Sequence, residues 1–301
     1  MKIFTLFCLI LISICVINAQ EKNTSEKYDI VIKYGYSVKI LMEIDPSDAE
    51  AALRILIQHI ASLKGYHIKV ETVFYTDVKA IKKDLQEKKL DVLAVLGGEF
   101  LELQKSVIMQ PELVPTSQGS RYHKYILITH KNKAPNFFST KKHNKLLVSV
   151  SKKNEFPFMW LDNIFAKKGL PPVNKVFENI EELEKPSMAV LPVFFSKADA
   201  AVVPLSLFNV VSELNPQLKK DLVILEESED MLLSVICFTS NLPQKVQKIM
   251  KEAMIELKDT RQGKQILDIF NIEGMQNFDA GYLQGIRNLI DENNKRKNKK
   301  K

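Results

Sequence analysis

Ser37, Ser151, Lys152 and Ser206 are residue types that hold a solute by hydrogen bonds and charge, and each stands at the end of an apolar run or just after one. A hydroxyl donates and accepts, and an ammonium adds three donors and a positive charge. Tyr36 and Lys39 flank Ser37, and Gly97-Gly98-Glu99 follows the apolar run Val92 to Leu96. Two adjacent glycines let a ligand come close to the backbone, or they make a plain turn. Glu99 suits a cationic group, or serves as a first-turn acid favoured by the helix dipole. Ser151-Lys152-Lys153-Asn154 and Pro204-Leu205-Ser206 each open a helical segment. A helix start offers free N–H groups to an anion, and Ser206 equally suits capping those groups. Arg121 and Tyr122 stand at the head of a strand-like run between the two sets and extend the candidate group.

The residues of covalent and metal chemistry are present without the spacing that chemistry needs. His59, His67, His123, His130 and His143 form no HExxH pair. There is no phosphate-binding P-loop, no nucleophile elbow and no CxxC. The expectation is a binder without metal or cofactor rather than an enzyme.

Parallel strands buried on both faces must position such groups. Leu90-Asp91-Val92-Leu93-Ala94-Val95-Leu96 and Ala198-Asp199-Ala200-Ala201-Val202-Val203-Pro204 are short, continuous apolar runs, each with one Asp at its mouth. That is the pattern of a parallel sheet covered by helices. Helical segments precede and follow both, so each run belongs to a βαβ unit with its ligand side at the carboxyl ends of the strands. Asp91 and Asp199 sit at the opposite ends, which points to a structural role.

The order of segments is strand–helix alternation, a crossing strand from Tyr122 to Thr129, more alternation, a return strand from Met231 to Phe238, and closing helices. It describes two α/β lobes joined by two crossing segments, with the closing helices packed back on the first lobe. The expected bounds are 28–125 with 230–291 for the first lobe and 126–229 for the second. Lys175-Val176-Phe177 reads as a short strand.

Lys2 and the apolar run Ile3 to Ile17, ahead of Ile17-Asn18-Ala19, read as a cleavable signal peptide over residues 1–19. An uncut anchor is the other reading. Cys8 and Cys15 leave with it, so Cys237, inside an apolar strand, has no partner for an intramolecular disulfide and reads as a small core residue. An exported chain of this size without disulfides fits a bacterial periplasm. The formal charge of +7 is local: Lys2 and the six basic residues among 295–301 account for it, and the body is neutral. Residues 292–301 read as a disordered basic tail, with Lys295 to Lys301 available for weak contact with an anionic membrane surface. Nucleic acid is excluded as a partner by the neutral body and the export signal.

Gly35-Tyr36-Ser37, Asp45-Pro46-Ser47-Asp48-Ala49-Glu50-Ala51-Ala52-Leu53, Leu90 to Ala94 and Lys197 to Val203 together resemble the phosphate/phosphite/phosphonate-type substrate-binding proteins of ABC importers. The resemblance implies the two-lobed type 2 periplasmic-binding fold. It implies a monomer that closes on a small, phosphate- or phosphonate-like ligand in the cleft and delivers it to an ABC permease. Oxyanion binders of that family carry a hydroxyl-rich Ser-Thr-Ser-type turn, and Ser151-Lys152-Lys153-Asn154 occupies the corresponding place here. The alternatives are a ligand-sensing partner of a membrane signalling protein and an enzyme like the thiamine-pyrimidine synthases of this fold.

Overall fold

The computed structural model describes residues 30–41, 44–63, 67–140, 142–149, 154–183 and 185–298. The signal peptide, Ser151, Lys152 and Lys153 lie outside the described residues. β1 (Ile30–Ser37) runs into the single turn α1 (Val38–Leu41), then α2 (Pro46–Leu63) and β2 (Ile68–Tyr75). Next come α3 (Val78–Gln86), β3 (Val92–Leu96), α4 (Gly97–Leu103), β4 (Gln110–Thr116), β5 (Tyr122–His123) and β6 (Tyr125–His130). The middle of the chain forms β7 (His143–Ser149), α5 (Phe156–Lys167), α6 (Val173–Val176), β8 (Phe177–Leu183), α7 (Pro186–Phe194), β9 (Ala200–Pro204) and α8 (Leu205–Leu214). It closes with α9 (Gln217–Asp221), β10 (Leu222–Glu227), β11 (Met231–Leu232), β12 (Ser234–Phe238), α10 (Gln244–Glu256), α11 (Arg261–Ile269), β13 (Gly274–Asn277) and α12 (Gln284–Asn298).

Local chemistry explains the boundaries. The Asp45 Oδ1 accepts from the Ser47 N–H at 2.8 Å, and Pro46 takes the first helical position, where its missing N–H costs nothing. Asp77 caps α3 by accepting from the Ala80 N–H at 3.0 Å. Every residue of β3 and of β9 is buried, which matches their unbroken apolar composition.

Two sheets form two lobes. The first has the order β13-β4-β12-β3-β1-β2 and the second β10-β6-β9-β7-β8. Their cores are equivalent. β1 is parallel to β2 and β3, and β7 is parallel to β8 and β9. The fourth strand is antiparallel in each, β12 on β3 and β6 on β9. β6 precedes the parallel strands it joins and β12 follows the whole second lobe, so each crossing of the chain supplies the other sheet's fourth strand. The largest apolar cluster is shared by both lobes, with Leu93 and Val95 of β3, Leu127 of β6, Val148 of β7 and Leu289 of α12. A second cluster lies between the first sheet and α2, α10 and α11.

Asp91 and Asp199 stand at equivalent points, at the strand starts. The Asp91 carboxylate accepts from the Lys33 N–H of β1 at 2.8 Å. The Asp199 carboxylate accepts from the N–H groups of Asn144 and Lys145 of β7 at 2.7 and 2.9 Å and pairs with Lys133. Each acid ties the start of its strand to the neighbouring parallel strand.

Two strands fall where the sequence analysis places none, and two of its readings change. β4 carries Pro111 and Pro115, which argue against a strand, yet it pairs with both β12 and β13. In an antiparallel ladder each N–H faces one neighbour only, so a proline removes one bond without ending the pairing. β13 is short and polar, and residues 272–277 carry no strand alternation. Lys175 and Val176 belong to the helical turn α6, and the strand begins at Phe177. The basic segment is not disordered from residue 292: α12 continues to Asn298 and packs chiefly on α5 of the second lobe, with Ile286 also against Gly97 of α4. Arg296 finds Asp162 at 3.1 Å, Glu292 finds Lys167 at 2.8 Å, and cations suit the last turn of a helix. Cys237 is fully buried, and burial pushes its thiol well above the usual range, so it behaves as a core residue.

Candidate functional site

A cavity of about 460 Å³ opens between the lobes. β5, a crossing strand, brings Tyr122 and His123 to it, and Arg121 stands just before that strand. The carboxyl end of β7 brings Ser149, the residues before α5 bring Asn154, and the first turn of α8 brings Ser206. Tyr36 and Lys39 line it from the first lobe. Among the described residues no carboxylate lines this cavity.

Several polar groups in or beside the cavity wall are buried with nothing to bond to. The hydroxyls of Ser37 and Ser149, both ring nitrogens of His123 and the Arg121 Nε have no hydrogen-bond partner among the described residues. Ser37 and Ser149 are each 1% exposed. A buried polar group left unsatisfied costs on the order of 1–3 kcal/mol, so a solute that satisfies several at once gains substantially. The first turn of α8 adds donors, because Pro204 provides no side-chain cap and the turn opens onto the cavity.

Arg121 is held rather than loose. Its guanidinium lies 4.4 Å from the centre of the Tyr282 ring and 5.5 Å from that of Tyr122, and its Nη2 donates to Gln276 Oε1 at 3.1 Å. That leaves Nε aimed elsewhere, with a fixed plane suited to an oxyanion. His123 packs edge-on to Tyr125 at 4.8 Å, and burial lowers its pKa to about 4, so the ring is neutral at pH 7. A neutral imidazole offers one donor and one acceptor. Asn154 donates to the Tyr125 hydroxyl at 3.0 Å and accepts from the Phe156 N–H at 3.1 Å, which fixes the start of α5 at the cavity.

The residues singled out from sequence divide. Tyr36 and Ser206 line the cavity. Ser37 is buried beside it, between Tyr36 and Lys39. Gly97 and Gly98 do not line it. They form the first turn of α4, and the room left by their missing side chains is filled by protein. A Cβ on Gly97 would stand 2.7 Å from the Leu232 carbonyl oxygen and 2.6 Å from Ile286, and one on Gly98 would stand 1.8 Å from the Phe156 ring. Glu99 is committed twice, accepting from the Leu96 N–H at 3.1 Å and pairing with Lys39 at 3.0 Å. It is 5% exposed and holds α4 against α1. His123 and Ser149 were missed: neither carries a local motif. The one available signal is position in the sequence, since Ser149 lies at the end of the apolar run ahead of Ser151-Lys152-Lys153-Asn154.

Among the described residues there is no group of three or more His, Cys, Asp or Glu side chains placed to hold a metal. No helix among them is long and apolar enough to cross a membrane.

Solved structures share this architecture at low identity. XAC2383 from Xanthomonas citri, solved bound to ATP, aligns with a TM-score of 0.63 at 12% identity over 88% of this chain and 97% of the other. PhnD1 from Prochlorococcus marinus, solved with methylphosphonate, gives 0.61 at 13% identity over 88% and 98%. Mh-p37 of Mycoplasma hyorhinis, described as a putative thiamine pyrophosphate transporter, gives 0.58 at 11% over 88% and 99%. These likenesses show the fold. No curated protein sequence matches the chain. The sequence model of one family, "ABC transporter, phosphonate, periplasmic substrate-binding protein", matches residues 39–282. With its two lobes, its crossing strands and that match over most of its length, the chain belongs to the periplasmic substrate-binding proteins of phosphonate ABC transporters.

Proposed function

We propose that the protein captures a small phosphorus oxyanion, a phosphonate or phosphate, between its lobes in the periplasm and presents it to an ABC permease. The observation that carries this is the chemistry of the cavity wall: Arg121, neutral His123, the Ser149 and Ser206 hydroxyls and the uncapped start of α8, with no carboxylate among the described lining residues. An oxyanion accepts from all of these, and a cation would meet no carboxylate among the described lining residues.

The mechanism is lobe closure. Ser149 and Ser206 come from the second lobe, and Tyr36 and Lys39 from the first. A ligand touching both sides makes its full contacts in the closed shape alone and so shifts the population toward it. The protein acts as a monomer after removal of residues 1–19, and it performs no chemistry on the ligand.

Isothermal titration with inorganic phosphate, methylphosphonate, methanesulfonate and an amino acid tests the ligand class. Micromolar or tighter binding confined to the phosphorus compounds is expected, with at least a tenfold loss in Arg121→Ala. Binding of the amino acid with no response to any phosphorus oxyanion would overturn the reading. Small-angle scattering should show a smaller radius of gyration when the ligand is added.

A further inference from the structure

The cavity is larger than its polar wall. A separate part of its lining comes from the first lobe's helices: Leu53 and Leu56 of α2, Met254 of α10, and Ile266 and Leu267 of α11, facing Tyr36 of β1. All six belong to the apolar cluster between the first sheet and these helices. Protein interiors rarely leave voids much larger than a water molecule. A cavity of about 460 Å³ lies within the range, roughly 300–1,000 Å³, that encloses ligands of drug size.

The lining has a polar part and an aliphatic part. The unpartnered polar groups are Arg121, just before β5, His123 of β5 and Ser149 at the end of β7, and Ser206 stands beside them on the first turn of α8. Aliphatic side chains of α2, α10 and α11 line the first lobe's side, joined by others from α1, β3 and β12, and α8 adds Leu207 and Val210. A phosphonate bearing a single methyl group satisfies the first wall and leaves the second untouched. An aminoalkyl group would enter an arm where no carboxylate of the described residues meets it.

We propose that the preferred ligand is amphipathic: a compact phosphorus oxyanion held at Arg121, His123, Ser149 and Ser206, joined to an uncharged apolar substituent of several carbons. That substituent enters the first lobe between β1 and the helices α2, α10 and α11. The proposal rests on the oxyanion reading above for its head group and on the cavity's apolar arm for its tail.

Titration of the full mature chain with methyl-, butyl-, hexyl- and octylphosphonate tests it. Affinity is expected to rise about fourfold for each added methylene, the effect of burying one CH₂, until the arm is filled. 2-Aminoethylphosphonate should bind at least tenfold more weakly than propylphosphonate. Methylphosphonate binding as tightly as hexylphosphonate would overturn the apolar arm and leave the oxyanion reading standing. If phosphonates fail but alkylsulfonates or alkylcarboxylates show the same length dependence, the arm stands and the phosphorus head group falls. No length dependence with any head group overturns the proposal. Met254→Trp, which fills the arm, is expected to flatten the series; an unaltered length dependence in a variant that melts cooperatively would also overturn it.

Discussion

Asp91 and Asp199 differ in how much each carries. Asp91 receives one backbone N–H, from Lys33, whereas Asp199 receives two and an ion pair with Lys133. Loss of the Asp199 carboxylate leaves two backbone donors and one ammonium without it. We expect Asp199→Ala to cost about 2–3 kcal/mol and Asp91→Ala about 1 kcal/mol, read from urea unfolding; equal losses would count against this account. Burial alone would raise the Asp199 carboxyl, but the bonds from Lys133, Lys145 and Asn144 outweigh it and hold the group below the usual carboxylate range. Its contribution is therefore complete above about pH 4 and is lost as pH falls through the depressed value. His123 behaves alike at higher pH. Burial lowers it to about 4 from 6.5, so its neutral form stabilises the fold fully above pH 6.5, and that stability drains away as pH falls toward 4. His123→Gln should show a flatter dependence of unfolding free energy on pH in that window. The two Asp residues were legible because each stands in the same local pattern. The unpaired state of His123 and Ser149 was not, because which buried polar groups lack a partner is set by what packs around them in three dimensions.

At the scale of elements, α4 and α5 meet through the absence of a side chain. Phe156 opens α5 in the second lobe and its ring occupies the space above Gly98 in the first. From sequence the glycine pair suits either close approach of a ligand or a plain turn, and the structure fills the space beside it with protein. A Cβ there meets the far end of a side chain, so Phe156 must rotate away or the lobes must part. We expect Gly98→Ala to enlarge the radius of gyration of the liganded protein and to weaken ligand binding about tenfold. Phe156→Ala in the same chain should restore most of both, as two residues in direct contact do not act additively. A double variant no better than Gly98→Ala would refute the contact's role. β4 teaches a related lesson: Pro111 and Pro115 hide a strand from any local rule, and the partners β12 and β13 that accept it arrive more than a hundred residues later.

For the whole molecule, α12 is the strap. It packs on α5 and on the crossing strand β11, and the Asn163 side chain of α5 donates to the Leu289 carbonyl at 3.2 Å. Gly285 lets the helix sit against Asp230, where a Cβ would come within 1.9 Å of the carbonyl oxygen. The Arg296–Asp162 pair, 15% and 26% exposed, anchors the far end. Arg296→Ala is expected to cost about 1 kcal/mol, lowering the melting temperature by about 2–4 °C; an unchanged melting temperature would show that the strap holds without this pair.

The sequence by itself determined the strand–helix order, the doubling into two α/β lobes, the crossing strands and the equivalence of Asp91 with Asp199. These follow from burial and capping patterns written within a few residues of one another. Tertiary structure alone decided which polar groups stay unpaired at the cleft, that Gly97 and Gly98 serve lobe packing, that the basic end is helical, and that the cavity has an apolar arm. Each of these depends on groups far apart in the chain: Arg121 is oriented by Gln276, 155 positions away, and Gly98 by Phe156 in the other lobe. Local periodicity encodes which face of an element is buried, and it carries no information about which distant surface will lie against that face.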